Sequence, residues 1–316
     1  MFDIYVAACV EEGGIVRCVL HEDGTLERRE TYPMPMPMYL AWGEDRIHTL
    51  LRDPWKTGDS ALTSCPVYAD GTLGGQTPCL STKGKVACHL AVEGETVWCV
   101  NYSSGSVIRM PDRLVQHTGC GPHPTRQTGP HTHFAGFTPD RRYLCVTDLG
   151  LDTIFIYDRQ LNPVSSAKVP AGHGVRHLEF SEDGKYCYAV NELESTLSVF
   201  SMEAEKLILL DTVSCLPEGS CESFVAAVRR CGDRLYVSNR GHNSVSVFAL
   251  EGAKATLLGA YPCGGNWPRD ILVVGDFLLC ANEYSHNVSV LDLKTMQQVF
   301  SLEKIPAPLC LLSRCR

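Results

Sequence analysis

Long apolar runs and helical periodicity are both scarce in this chain of 316 residues. No run approaches the roughly 18 consecutive apolar residues that a membrane-spanning helix needs. The first residues, MFDIYVAACVEEGG, lack the basic segment and apolar core of a secretory signal. Residues 216–230 come nearest to helical spacing, yet their pattern fits a strand as well. These absences predict a cytoplasmic, all-β protein that does not associate with membranes.

Several motifs of metal, redox and serine chemistry are also missing. Sixteen cysteines are present, but no two form a Cys-x-x-Cys pair. Some, such as Cys99 and Cys145, lie inside apolar runs as small fillers. There is no Gly-x-Ser-x-Gly elbow and no glycine-rich phosphate loop. We therefore expect free thiols in a reducing cytosol rather than a disulfide framework, and no serine triad.

Basic residues are outnumbered by acidic ones, which gives a formal net charge of −8. This balance argues against nucleic acid as the main ligand, because phosphate backbones are bound by basic surfaces. A small anion remains a possible ligand, since the local field of a few arginines matters more than the net charge.

A repeated unit of short strands is what the sequence does contain. Each copy holds three or four runs of Val, Ile, Leu, Tyr and Cys separated by Gly, Asp, Asn or Ser turns. The residues that end the second run of each copy recur every 43 to 49 positions: Cys9, Arg52, Asn101, Asp148, Asn191, Asn239 and Asn282. Seven copies of four strands at this period predict a seven-bladed β-propeller.

The two ends of the chain predict how the ring closes. The last segment, IPAPLCLL (305–312), resembles an innermost strand that no further strand follows. The first segment, FDIYVAAC, resembles a second strand that no innermost strand precedes. We expect the C-terminal strand to complete the N-terminal blade, so that residues 1–316 form a single propeller domain without open sheet edges.

Propeller geometry brings distant polar residues to one opening. The first and second strands of a blade are antiparallel, so the start of one and the end of the other lie at the same rim. The strand starts contribute His89, His131, His133, Arg176, His177, Ser223, Arg269 and Asp270. The strand ends contribute Arg52, Asn101, Asp148, Asn191, Glu192, Asn239, Arg240, Asn282 and Glu283.

This set favours a site for an anionic organic molecule. Arg176, Arg240 and Arg269 come from three consecutive blades, and arginine offers forked donors to phosphate or carboxylate. Glu192 and His133 come from adjacent blades and could share a water molecule. Two other interpretations stay open, namely a solvated rim and a metal bound by His131 and His133, for which no further ligand stands at suitable spacing.

At these residues the chain resembles the lactonase family of seven-bladed propellers, which includes bacterial 6-phosphogluconolactonases and fungal carboxymuconate lactonizing enzymes. The resemblance covers about residues 84–293 strongly. It is carried by the segments ACHLAV, RQTGPHTHFAGFTPDRRYLCVTDLGLDTI, GVRHLEFSEDGKYCYAVNELESTLSVF, LYVSNRGHNSVSVF and WPRDILVVGDFLLCANEYSHNVSVL. Ser223-Phe224-Val225 departs from the family, whose members often carry an acidic residue there.

The resemblance implies a cytosolic enzyme that acts on a lactone without metal or nucleotide cofactor. It implies a catalytic His133, Arg176 and Glu192, with Arg240 and Arg269 completing an anion-binding rim. His89, Asn101, His131 and His177 are further candidates for substrate binding, because they flank the same opening.

The most specific prediction is hydrolysis of 6-phospho-D-glucono-1,5-lactone, a step of carbohydrate metabolism, by a monomer or weak homo-oligomer. Glu192 or His133 would be the general base, and Arg176 would face the carbonyl oxygen. Two alternatives remain: a muconate-type cycloisomerase, and a propeller that serves only as an interaction scaffold.

Overall fold

Seven four-stranded antiparallel sheets make up the computed structural model, which describes residues 1–315. Blade I comprises β1 (Phe2–Ala8), β2 (Gly14–Leu20), β3 (Leu26–Pro33) and β28 (Pro308–Cys315). Blade II comprises β4 (Pro37–Trp42), β5 (Arg46–Leu51), β6 (Ala61–Pro66) and β7 (Leu80–Ser81). Blade III comprises β8 (Ala87–Glu93), β9 (Thr96–Asn101), β10 (Ser106–Arg109) and β11 (Arg113–Gln116).

In the other four blades, the strands are given in order from the axis outwards. Blade IV comprises β12 (Thr132–Phe137), β13 (Leu144–Asp148), β14 (Thr153–Tyr157) and β15 (Pro163–Lys168). Blade V comprises β16 (Val175–Phe180), β17 (Tyr186–Asn191), β18 (Thr196–Glu203) and β19 (Lys206–Ser214). Blade VI comprises β20 (Phe224–Cys231), β21 (Arg234–Arg240), β22 (Ser244–Glu251) and β23 (Lys254–Pro262). Blade VII comprises β24 (Pro268–Val274), β25 (Phe277–Asn282), β26 (Asn287–Asp292) and β27 (Gln298–Glu303).

The predicted seven-bladed architecture and its closure are both confirmed. Strand β28 pairs with β1 from Phe2 opposite Cys315 to Ala8 opposite Pro308, and so supplies the innermost strand of blade I. The seven innermost strands contact one another in a closed circle around the axis. No described residue belongs to an α-helix, so none forms a helix that could cross a membrane.

Burial falls from the axis to the perimeter. The second strand β17 is buried at five of six positions, whereas the outer strand β19 is exposed at most of its positions. The middle strands therefore carry apolar residues on both faces, because each blade packs against a neighbour on either side. Apolar clusters accordingly lie between blades, as Cys145, Ile154, Cys187 and Phe200 do between blades IV and V.

The asparagine that marks the repeat is a structural residue. In blades III, V, VI and VII its side-chain amide donates to a serine of the third strand, from Asn101 to Ser106 at 3.1 Å, Asn191 to Ser198 at 2.9 Å, Asn239 to Ser246 at 2.8 Å and Asn282 to Ser289 at 3.0 Å. These buried amides join the second and third strands beyond their backbone ladder, which explains why the residue recurs at a fixed period.

Replacing Asn239 by alanine should therefore destabilise the fold. The change leaves the buried hydroxyls of Ser244 and Ser246 without this donor, at an expected cost of about 1 to 3 kcal/mol in the free energy of unfolding. Thermal melting of purified protein would measure it, with Asn266→Ala at an exposed position as the control. Equal melting temperatures for the two variants would show that the amide contributes little.

A β-bulge near the start of every innermost strand determines which side chains reach the axis. In every blade, one residue of the innermost strand has no partner in the register with the second strand, and in blade VI two residues have none. These unpaired residues lie between Pro37 and Tyr39, Ala87 and His89, Thr132 and Phe134, Val175 and His177, Val225 and Val228, Pro268 and Asp270, and Pro308 and Cys310. A bulge turns two successive residues towards the same side. Two rings of seven residues therefore line the axis at adjacent heights.

The first ring consists of Met38, Cys88, His133, Arg176, Ala226, Arg269 and Leu309, one from each blade. The second ring consists of the residues that follow them: Tyr39, His89, Phe134, His177, Ala227, Asp270 and Cys310. In blade V the chain enters the bulge through Gly174, whose φ of +69° and 2.7 Å clearance between an added Cβ and Leu193 both disfavour a side chain.

Candidate active site

The near cavity is a space of about 220 Å³ at the end of the axis where the innermost strands begin. Its walls are formed by Val86, Cys88, Tyr102, Arg126, His133, Glu192, Arg240 and Arg269. It continues into a space of about 20 Å³ between the first and second rings, enough for about one water molecule. The cavity thus joins residues that lie far apart in sequence.

Glu192 lies at the centre of the charged groups and bonds three arginines. Its Oε2 accepts from Arg176 Nε at 3.0 Å and from Arg240 Nη2 at 2.8 Å, and its Oε1 accepts from Arg126 Nη2 at 2.5 Å. Burial alone would raise the pKa of Glu192, but the arginines outweigh it and hold that pKa well below its usual range. Glu192 is therefore an ionised carboxylate that fixes the arginines, and both of its oxygens are already engaged as acceptors.

Arg176 is held by bonds on three sides. Besides its Nε contact with Glu192, its Nη1 donates to the carbonyl of Ala226 at 2.5 Å and to His177 Nε2 at 3.2 Å. Burial, together with Arg240 and Arg269, lowers the pKa of Arg176 to about 9, so the guanidinium stays charged at neutral pH. The Nη2 of Arg176 makes no hydrogen bond within residues 1–315.

His133 is the imidazole of the first ring and is only 4% exposed. Burial, and after it the charge of Arg176, holds the pKa of His133 well below its usual range, while Glu192 acts in the opposite direction. His133 is therefore neutral at pH 7 and able to accept a proton. Cys88, whose thiol lies 3.9 Å from His133 Nδ1, has its pKa raised to about 12 by burial and is a poor nucleophile.

Positive charge is in excess around the near cavity. Arg126, Arg240 and Arg269 line it, and Arg176 lines the one-water space that continues from it. The carboxylates beside them are Glu192 and Glu283, the latter 3.6 Å from Arg269 Nη1, while Asp270 in the one-water space is already paired with Arg229 at 2.7 Å. Four positive and two negative groups leave a surplus of two positive charges. A bound ligand with one or two negative charges would balance this surplus.

The structure brings together six of the nine predicted site residues: His133, Arg176, His177, Glu192, Arg240 and Arg269. Of the histidine pair, His133 faces the axis, whereas the ring of His131 stacks on Tyr102 with 4.6 Å between centroids and its Nδ1 lies 3.1 Å from the Tyr102 carbonyl. His131 and His133 thus do not converge on one point. Within the described chain, no three His, Cys, Asp or Glu residues form a group that could hold a metal ion.

Two other predicted residues lie away from the near cavity and from the one-water space. His89 belongs to the second ring, 5.2 Å from the ring of His177, and lines the space beyond it. Asn101 is fully buried and bonds the Thr82 carbonyl and Ser106, so its side chain serves the fold. His89 lies beyond the first ring because it follows the bulged residue Cys88, whereas the side chain of Asn101 bonds within its own blade.

Sequence reasoning missed Arg126 and Tyr102. Arg126 lies on the loop between β11 and β12, which Gln127 anchors through bonds from its Nε2 to the Leu149 carbonyl at 2.8 Å and to Asp152 Oδ1 at 2.7 Å. This anchoring holds Arg126 over Glu192, 3.4 Å from the Tyr102 hydroxyl. The one signal in the sequence is the pair Arg126-Gln127 just before PHTH, in the segment that carries the family resemblance.

Comparison with known proteins agrees with this fold. The family model described as "Lactonase, 7-bladed beta-propeller" matches residues 3–311. The chain therefore belongs to this lactonase family of propellers. An uncharacterized protein of Staphylococcus aureus is 30% identical over 301 residues, which cover 87% of each chain.

Solved structures with the same fold include a protein from Lactobacillus plantarum, 25% identical with a TM-score of 0.90 over 99% of this chain and 100% of that one. The periplasmic gluconolactonase of Pseudomonas aeruginosa is 24% identical, with a TM-score of 0.87 over 99% of both chains. A Bacteroides fragilis protein, provisionally named a 6-phosphogluconolactonase, is 24% identical with a TM-score of 0.87 over 99% of this chain and 98% of that one.

Proposed function

We propose that this protein hydrolyses the lactone of an anionic sugar acid, with 6-phospho-D-glucono-1,5-lactone as the best candidate. The observation that carries the proposal is the buried imidazole of His133 beside a cavity with two surplus positive charges. A phosphorylated lactone would supply both the compensating charge and an ester carbonyl. The names of the Pseudomonas and Bacteroides proteins support the same substrate class.

The reaction would start with a proton transfer to His133. As the oxygen of a water molecule bonds to the lactone carbonyl carbon, His133 accepts a proton from that water. Negative charge then builds on the carbonyl oxygen, towards which the Nη2 of Arg176 and the guanidinium of Arg269 can donate. Glu192 holds Arg176 in place, and its charge also favours the imidazolium that forms on His133.

Ring opening completes the reaction. The bond between the carbonyl carbon and the ring oxygen breaks, and His133 returns its proton to that oxygen, which becomes a hydroxyl. The product acid then loses its own proton to solvent. The sequence allowed Glu192 or His133 as the base, and the three arginines around Glu192 favour His133.

Arg240 and Arg126 would hold the anionic group of the substrate. Both line the near cavity, and Arg240 is kept in position by Glu192 and by the ring of Trp267, 5.6 Å from its guanidinium carbon. Both arginines lie on the outer side of the first ring, so a phosphate bound there would be separated from a carbonyl group held near Arg176.

Purified protein assayed with 6-phosphogluconolactone, gluconolactone and carboxymuconate would test the proposal. We expect hydrolysis of both lactones, with kcat/KM higher for the phosphorylated one. Turnover of carboxymuconate alone would instead identify a cycloisomerase. Hydrolysis that is unchanged in both Arg176→Ala and Glu192→Gln would refute this site.

Replacing Arg126 by alanine should weaken substrate binding without slowing chemistry. Arg126 lies at the outer edge of the near cavity, with about a third of its side chain exposed. We expect KM for the phosphorylated lactone to rise about tenfold at nearly constant kcat, the pattern of a lost uniform binding contact. Gluconolactone, which lacks the phosphate, provides the control and should show a much smaller change. A fall confined to kcat would contradict this role.

A further inference from the structure

The opposite end of the axis holds a second cavity, which we call the far cavity. It has a volume of about 720 Å³, within the range of small-molecule sites. Tyr39, His89 and Phe134 of the second ring form its floor. His89 contacts both neighbouring rings, at centroid distances of 4.1 Å to Tyr39 and 4.4 Å to Phe134. This aromatic floor separates the far cavity from the near cavity, apart from the one-water space between the rings.

The walls of the far cavity are mostly small or apolar. On four innermost strands, the residue two positions after the second-ring residue lines this cavity and is small or apolar. These four residues are Ala91, Gly136, Leu272 and Leu312. Blades V and VI differ, because the corresponding positions carry Glu179 and Arg229. At this height the far cavity is therefore apolar, except for Glu179 and Arg229 on one side.

Nearly every charged group of the far cavity is already paired. Arg229 Nη2 lies 2.7 Å from Asp270 Oδ1, Arg141 Nε lies 3.0 Å from Glu93, and Arg230 donates to the Phe180 carbonyl and approaches Glu182 at 3.9 Å. Glu179 differs, since within residues 1–315 its carboxyl makes neither an ion pair nor a hydrogen bond. Burial raises the pKa of Glu179 to about 7 although Arg229 and Arg230 act against it.

We propose that the far cavity is a binding site for a small organic ammonium ion that carries an apolar ring. The ammonium group would pair with Glu179, the one unpaired charge of the far cavity, and its positive charge would be favoured by the aromatic floor. The ring would lie against Tyr39 and Phe134. The two ends of the axis would then select opposite charges, an anion at the near cavity and a cation at the far one.

Isothermal titration with three probes of the same ring tests this site. Tryptamine is cationic, tryptophol neutral and indole-3-propionate anionic at pH 8. We expect tryptamine to bind with a Kd of about 0.1 to 1 mM, at least about tenfold tighter than tryptophol. Glu179→Gln should abolish this preference, whereas Glu182→Gln at the exposed rim should preserve it. Lowering the pH from 8 to 6 should weaken tryptamine binding, because Glu179 then becomes protonated.

The opposite results would overturn the proposal. These are equal affinity for the three probes, tighter binding of indole-3-propionate, or a tryptamine affinity that survives Glu179→Gln. Because the second ring separates the cavities, saturating tryptamine should leave lactone hydrolysis unchanged, so the proposal does not depend on the near cavity. A crystal soaked with tryptamine should show the indole on Phe134, and an indole located elsewhere would refute the site.

Discussion

His133→Gln is expected to reduce kcat for lactone hydrolysis by about 10² to 10⁴, the usual contribution of a general base. Glutamine keeps the polarity and much of the volume of His133 but cannot accept a proton from water at neutral pH. KM should change little, because the arginines that bind the anion remain. Steady-state kinetics of the wild type and the variant would measure the effect.

The matched control for this change is His131→Gln, two residues earlier and stacked on Tyr102 outside the near cavity. It should keep kcat within about threefold. If His131→Gln lost activity and His133→Gln did not, the two histidines would have been assigned the wrong way round.

The pH profile offers a second measurement of the same group. A base works only when deprotonated, and the pKa of His133 lies well below 6.5. Activity should therefore be constant from pH 8 down to about 6, and fall only at more acidic pH as His133 takes up a proton. A fall centred near pH 7 would identify a different base.

Glu192→Gln is expected to lower the free energy of unfolding by about 3 to 5 kcal/mol, the typical cost of removing one partner from a buried ion pair. Arg126, Arg176 and Arg240 all lose their shared carboxylate in this variant. The mutual repulsion of the arginines would then be balanced only by solvent. Chemical denaturation would measure the loss, with exposed Glu194→Gln as the control.

The stabilisation by Glu192 also has a predictable pH dependence. The pKa of Glu192 in the fold lies well below its ordinary value of 4.5, so its contribution is complete above about pH 4.5 and is lost as the pH falls through the lowered value. The difference between wild type and Glu192→Gln should therefore be constant at neutral pH and shrink in acid. Added phosphate should stabilise the variant more than the wild type, because the arginines no longer share a carboxylate and attract an added anion more strongly.

The fold could be predicted from the sequence because the blade repeat is a local property. Turn residues, alternating apolar runs and the recurrent asparagine are each set by contacts within one blade, as the Asn239 bonds to Ser244 and Ser246 illustrate. Ring closure followed from the unpaired character of the first and last strands. Cytoplasmic location, a monomeric or weakly associated state and the specific substrate stay predictions.

The site was harder to predict because it depends on contacts between blades. The rule that strand ends face the opening included Asn101 and His131, since it took no account of the bulges that turn Arg176 and His133 inwards. Arg126 escaped notice because its loop is held against blade IV by the tertiary bonds of Gln127 to Leu149 and Asp152. The weakness of Glu192 as a base likewise depends on three arginines meeting, which no spacing along the chain reveals.

The ring of bulged residues means that the chemistry of this channel can be altered one blade at a time. Each blade contributes a single first-ring side chain without using it for its own ladder, so a substitution there leaves strand pairing intact. Met38, Cys88, Ala226 and Leu309 occupy such positions without an ionised group. Substitutions at these four positions would therefore reshape the channel while its proton acceptor and its guanidinium donors stay in place.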